Sequence, residues 1–149
     1  MLLKSVAIGS DHAGYELKEA IKKYLIEKQI VVKDFGTYSS ASVDYPEFAV
    51  KVAQSVQNKE YDTGIVICGS GIGVSISANK IPDIRAALCA NEELAKLSRQ
   101  HNNANILAMG ARFISKEDAF KVVQAFMTTE FEGGRHVQRV NKIHRLTNC

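Results

Sequence analysis

Gly64-Ile65-Val66-Ile67-Cys68-Gly69-Ser70-Gly71-Ile72-Gly73 is an uncharged apolar run that stops at a thiol and breaks into alternating glycines. A run of this kind forms a strand buried on both faces of a parallel sheet. The glycines let the backbone come close to a ligand and turn its N–H groups inward, and a helix beginning near Ile72 adds its positive end. The stretch predicts a strand, an anion cradle and a helix, with Cys68 as nucleophile or base at the cradle's edge. The plainer alternative is a βα turn whose glycines serve chain geometry alone and whose cysteine packs as a small buried residue.

Working outward, the same alternation recurs along the whole chain. Val6-Ala7-Ile8 ends at Gly9, Ile30-Val31-Val32 ends at Gly36, Ala86-Ala87-Leu88 ends at Asn91, and Ile106-Leu107-Ala108 ends at Gly110. With Ile65-Val66-Ile67 these make five short strands. Between them, Leu17, Ala20, Ile21, Tyr24 and Leu25 share one helical face, as do Phe48, Ala49, Val52, Ala53 and Val56. Asp44 with Pro46 behind it starts the second of these helices. Leu94 and Leu97 mark a shorter helix after Asn91, and Ser115 opens one carrying Ala119, Val123 and Phe126. The expected fold class is α/β: a Rossmann-like three-layer α/β/α sandwich with a five-stranded parallel sheet and right-handed crossovers. An extra C-terminal helix follows Glu132-Gly133-Gly134, placing Arg135 and Arg139 on one face and Val140 and Ile143 near another. It either packs back on its own subunit or reaches across to a neighbour.

Composition sets the bounds. The 149 residues are 46% hydrophobic and include two prolines, enough for one core, so residues 1–149 are expected to form a single domain with a helical arm over 133–149. A net charge of +3 gathers late, at Arg135, Arg139, Lys142 and Arg145. This is a local patch and not a nucleic-acid-binding composition. Cys68, Cys89 and Cys149 have neither metal-site spacing nor an even disulfide count, and no signal peptide or long apolar span opens the sequence. A reducing cytoplasm, away from membranes, is the expected location.

In an open parallel sheet, ligands bind beyond the carboxyl ends of the strands. That filter selects Ser10-Asp11-His12 after the first strand, Cys68 to Gly73 after the third, and Gly110-Ala111-Arg112 after the fifth. Asp11 could equally cap the helix that follows it. Arg99-Gln100-His101-Asn102-Asn103 reads as a polar loop ahead of the fifth strand, at the wrong end of its own sheet. If His101 is catalytic, it must serve the site of another subunit.

Taken together, Gly9-Ser10-Asp11-His12-Ala13-Gly14, Asp44-Tyr45-Pro46, Cys68 to Gly73, Ser98-Arg99-Gln100-His101-Asn102 and Glu132-Gly133-Gly134-Arg135-His136-Val137-Gln138-Arg139 resemble ribose-5-phosphate isomerase type B, within the family that includes galactose-6-phosphate isomerase subunits. The resemblance runs through nearly the whole chain. It implies an aldose–ketose isomerase of the pentose phosphate pathway that interconverts ribose 5-phosphate and ribulose 5-phosphate through a cis-enediolate, with no metal and no cofactor. It makes Cys68 the proton-transferring base and His101 the ring-opening group, with Asp11 assisting or binding a hydroxyl. Asn102 would hold the open chain and the backbone donors of Gly69, Gly71 and Gly73 the enediolate oxygen, with Ser70 and Ile72 of the same loop also binding substrate. Ser70 stands where many members of the family have threonine, and its hydroxyl can serve the same bond. The phosphate falls to His12, Arg112, Arg135 and Arg139, with His136 a weaker candidate. A homodimer with shared sites is implied, with a tetramer left open.

Competing functions lack their own marks. A dinucleotide site needs Gly-x-Gly-x-x-Gly after the first strand, but the glycines follow the third and the pattern fails at Val74. A phosphate-binding loop closing on Gly-Lys-Ser/Thr is missing. A non-catalytic phosphosugar-binding protein would keep the arginines but has no use for Cys68 and His101. Isomerisation of allose 6-phosphate or galactose 6-phosphate remains the alternative, because sequence pattern does not measure pocket depth.

Overall fold

Val66, Ala108 and Ala7 face one way and Ile65, Leu107 and Ile8 the other, and both sets are completely buried, so the sheet is covered on both sides. In a computed structural model describing residues 2–149, five parallel strands run in the order β2-β1-β3-β5-β4. These are β1 (Ser5–Ser10), β2 (Val31–Asp34), β3 (Thr63–Cys68), β4 (Ala86–Leu88) and β5 (Ile106–Gly110). The helices are α1 (Tyr15–Glu27), α2 (Tyr45–Gln57), α3 (Ile72–Asn79), α4 (Glu92–Asn102), α5 (Lys116–Thr128) and α6 (Arg135–Thr147). Helices α1, α4 and α5 bury Ile21, Leu25, Ala95, Val122 and Phe126 against one face. Helices α2 and α3 bury Ala49, Val52, Val74 and Ala78 against the other. The expected three-layer sandwich is the observed one.

Local signals behave as the sequence suggests, with two differences. Asn91 Oδ1 accepts the Leu94 N–H and Ser115 Oγ accepts the Asp118 N–H, starting α4 and α5. Asp44 stands at the start of α2, yet its side chain makes no capping bond, so Pro46 in the first turn carries that signal. The second difference is larger: Arg99 to Asn102 is the last turn of α4 and not a loop. Buried Arg99 replaces the missing apolar stripe, donating to Asn103 Oδ1 and to the carbonyls of Ala104 and Thr129. Asn103, in the left-handed region at φ 45°, then ends the helix.

The chain order reverses between β1 and β3, which opens a crevice at their carboxyl ends. The register pairs Ser10 with Ile67 and Cys68 with Gly110, so the three segments selected from the sequence meet at one edge. Helix α6 packs beneath the opposite edge, where His136 and Val140 are buried and His144 meets the Arg85 guanidinium at 2.9 Å.

Candidate active site

Cys68 is the last residue of β3 and, sharing parity with Val66, points toward α3. It is 5% exposed, and its Sγ accepts the Gly71 N–H at 3.2 Å. Gly71 can deliver that N–H because its backbone is left-handed at φ 78°. A Cβ there would also meet the Leu88 side chain at 2.5 Å, so two separate demands require glycine. The Gly71 N–H thus serves the sulfur, and free donors lie beyond it in the first turn of α3. Ser70 Oγ accepts the Ile72 N–H at 3.2 Å. The N–H groups of Gly73 and Val74, in the first turn of α3, find no acceptor among the described residues.

Around this loop stand the residues expected from β1 and β5. Arg112 lies flat over Gly69, where a Cβ would come within 2.7 Å of its Nη1, and its own N–H bonds the Gly69 carbonyl at 3.0 Å. No carboxylate pairs with its guanidinium among the described residues. His12 Nδ1 lies 3.2 Å from both the N–H and the carbonyl oxygen of Val43, so Val43 fixes the ring whichever nitrogen carries the proton. Asp11 is buried and its Oδ1 accepts the Gly14 N–H at 3.1 Å, so it does cap the turn after β1; Oδ2 takes no bond from the described residues. A thiol, a carboxylate oxygen, an imidazole, a guanidinium and free helix-end donors converge here. That set can bind a phosphorylated polyol and move a proton.

The remaining candidates gather at the opposite edge. His101 stacks on buried His136 with ring centroids 4.4 Å apart. Burial first, and then the neighbouring His101 and Arg135, lower the His136 pKa below its ordinary value, with Glu132 opposing. Arg135 and Arg139, one turn apart on α6, are exposed with no carboxylate partner among the described residues. Asn102 is exposed beside His101, its carbonyl held by Arg85 Nε at 3.0 Å. The five residues of β5 alone span about 16 Å at ~3.3 Å per residue. One chain therefore does not bring His101, Asn102, Arg135 or Arg139 to its own Cys68.

The comparisons agree over the full length. Residues 6–143 match the model of the Ribose/Galactose Isomerase family. The chain belongs to that family. Ribose-5-phosphate isomerase B of Escherichia coli is 48% identical over 141 residues, covering 95% of each chain. The solved Clostridium thermocellum ribose-5-phosphate isomerase B superposes with a TM-score of 0.96 at 50% identity, covering 97% of both chains. The Mycoplasma genitalium enzyme, solved with bound ribulose-5-phosphate, superposes at 0.92 with 44% identity, covering 97% of this chain and 96% of that one.

Within this isomerase fold, two residues stand at the sites without having been singled out for a role. The Tyr45 ring packs on Gly73, where a Cβ would be 2.5 Å from its carbons, so it walls the cradle from α2. Its motif, Asp44-Tyr45-Pro46, was visible, but reads locally as a helix start. Glu132 comes within 3.4 Å of His136 Nε2 and joins α4 through its N–H to the Gln100 carbonyl at 3.1 Å. No local pattern announces that contact across 32 residues of chain.

Proposed function

We propose that this chain interconverts ribose 5-phosphate and ribulose 5-phosphate, with Cys68 carrying the proton between adjacent carbons. The observation that carries this reading is the thiol at the tip of β3 under a backbone N–H, beside free helix-end donors. The Cys68 thiolate takes the proton from C2 of the open aldose, the electron pair moves into the C1–C2 bond, and the carbonyl becomes an enediolate. The same proton returns to C1 while a hydroxyl proton moves from O2 to O1. Donors aimed at such an oxyanion contribute roughly 3–4 kcal/mol each. Gly73, Val74 and the Ser70 hydroxyl are the groups available for it.

Sugar phosphates rest mostly as rings, so the ring oxygen first needs a proton. His101 supplies it, with Asp11 accepting from or binding a hydroxyl and Asn102 holding the extended chain. Since His101 lies at the far edge of its own sheet, the active unit is a homodimer in which each His101 serves the partner's Cys68, and α6 is the arm that reaches over. Arg135 and Arg139 then join His12 and Arg112 on the phosphate, where planar guanidinium groups suit a tetrahedral anion. Five-carbon specificity is tested by assaying ribose 5-phosphate, allose 6-phosphate and galactose 6-phosphate side by side. The expected outcome is the highest kcat/KM on ribose 5-phosphate; a six-carbon sugar turning over faster would reassign the substrate.

A further inference from the structure

The edge of the sheet opposite Cys68 holds a second set of ligating side chains that the proton-transfer scheme does not use as a group. One ring nitrogen each from His101 and His136 and one carboxylate oxygen of Glu132 lie within 4.8 Å of one another. The backbone keeps them together. Glu132 stands four residues before His136, ahead of the Gly133-Gly134 turn that opens α6, and the Glu132 N–H is bonded to the Gln100 carbonyl at the neighbour of His101. His136 is only 5% exposed, yet its Nε2 has no hydrogen-bond partner among the described residues; the 3.4 Å approach of Glu132 lacks hydrogen-bond geometry. Buried nitrogens without a partner are rare because leaving them unpaired is costly.

We propose that His101, Glu132 and His136 bind a divalent transition-metal ion of the zinc class, and that an ion there silences the isomerase by taking the His101 ring nitrogen. The silencing rests on the ring-opening role given to His101 above. Two imidazoles and one carboxylate are a ligand set that zinc accepts with a fourth position open. Magnesium and calcium, which take oxygen ligands, find a single carboxylate here. Closure requires modest movement. The rings stack at 13°, so their lone pairs do not yet converge, and ligand atoms about 2.0–2.1 Å from a shared zinc must draw closer than they stand. His101 is half-buried in the last turn of α4 and Glu132 is exposed, so both have room to turn, while buried His136 stays as the fixed post.

The test uses the intact, metal-stripped protein titrated with Zn²⁺, and with Co²⁺ as its spectroscopic substitute. One ion per chain is expected, with visible Co²⁺ bands of tetrahedral type, no thiolate charge-transfer band, and inhibition that follows occupancy and reverses with chelator. Glu132→Gln should keep its basal turnover and need at least about tenfold more Zn²⁺ for half-inhibition, since losing residues that merely orient a ligand already costs 10–100-fold in affinity. Cys68→Ala should still bind the ion. Equal Zn²⁺ sensitivity in wild type and Glu132→Gln, or loss of the ion in Cys68→Ala, would overturn the site, with the thiol then the ligand. Binding at these residues without inhibition would overturn the silencing. Full activity in His101→Ala would separately remove His101 from ring opening, whatever the ion does.

Discussion

At the scale of the residue, chemistry separates three cysteines that composition cannot rank. Burial pushes the Cys89 thiol up to about 11, against a weaker opposing bond from Ser98, so it stays protonated and inert. Cys149 lies at the end of the chain, near the carbonyls of Asn79 and Lys80. Among the described residues, Cys68 is the cysteine with a backbone N–H aimed at its sulfur, and it stands next to the free N–H groups of the α3 first turn. Cys68→Ala is therefore expected to lower kcat by at least about 10²–10⁴, the range a positioned general base supplies. Its stability loss should stay near ~1 kcal/mol, as for an ordinary small core truncation. Titration with inorganic phosphate checks that the site persists; near-normal turnover in a folded variant would remove Cys68 from the mechanism. Alanine at 89 or 149 should leave kcat unchanged.

At the scale of the element, the two ends of the site rest on different supports. The loop after β2 is anchored by Asp34, which accepts from Lys18 Nζ at 2.6 Å, from Lys22 Nζ at 2.9 Å and from the Gly36 N–H at 2.8 Å. Gly36 in turn holds the Ser10 N–H with its carbonyl, so the turn ahead of Asp11 and His12 depends on this cluster. Burial raises the Asp34 pKa, but the bonds from Lys18, Lys22 and Gly36 outweigh it, and the carboxyl is held below its ordinary 3.8. A depressed folded-state pKa contributes stability that is complete above the unfolded value and is lost as pH falls through the folded one. Acid unfolding of wild type should thus show a loss beginning near pH 4 that Asp34→Asn lacks, with the variant less stable at pH 7. Removing one partner of a buried pair costs about 3–5 kcal/mol when nothing replaces it. Asp34→Asn keeps an oxygen for the Gly36 N–H but takes the Oδ2 acceptor from both Lys18 and Lys22, with Glu19 still pairing Lys18 at 2.8 Å. Parallel pH curves for the two proteins would refute the anchor. For α6, Arg139→Ala should weaken ribose 5-phosphate and inorganic phosphate by the same factor, because the lost contact is to the phosphate; unchanged phosphate affinity would make the helix a solvated face only. Strands β1, β3 and β5 were legible in the sequence because double burial leaves an unbroken apolar run. The end of α4 was not: its packing is done by Arg99, whose hydrogen bonds have no periodicity to read. Lys18 likewise falls beside an apolar stripe, and its complete burial rests on two carboxylates, Asp34 on β2 and the adjacent Glu19.

At the scale of the molecule, the fold poses a problem that a single chain does not solve. Cys68 pairs with Gly110 at the carboxyl end of the sheet, whereas His101 closes α4 ahead of Ile106 at the amino end. A symmetric dimer resolves this when each subunit's α4 end faces the other's β3 tip, giving two equivalent sites from one self-complementary contact. Apolar side chains stand exposed at both edges: Ile72, Leu88 and Phe113 beside the cradle, and Val137, Ile143 and Leu146 on α6. Complementation tests the arrangement directly. Cys68→Ala and His101→Ala homodimers should each be nearly inactive, and neither regains activity on refolding alone. Unfolded together in equal amounts and refolded, about half the dimers should be mixed, each with one site holding both an intact thiol and an intact imidazole. One good site in two, in half of the dimers, returns roughly a quarter of wild-type activity. If mixed dimers form, as differently tagged chains would show, and no activity returns, each site draws both residues from one chain and the placement of α4 against β5 is wrong.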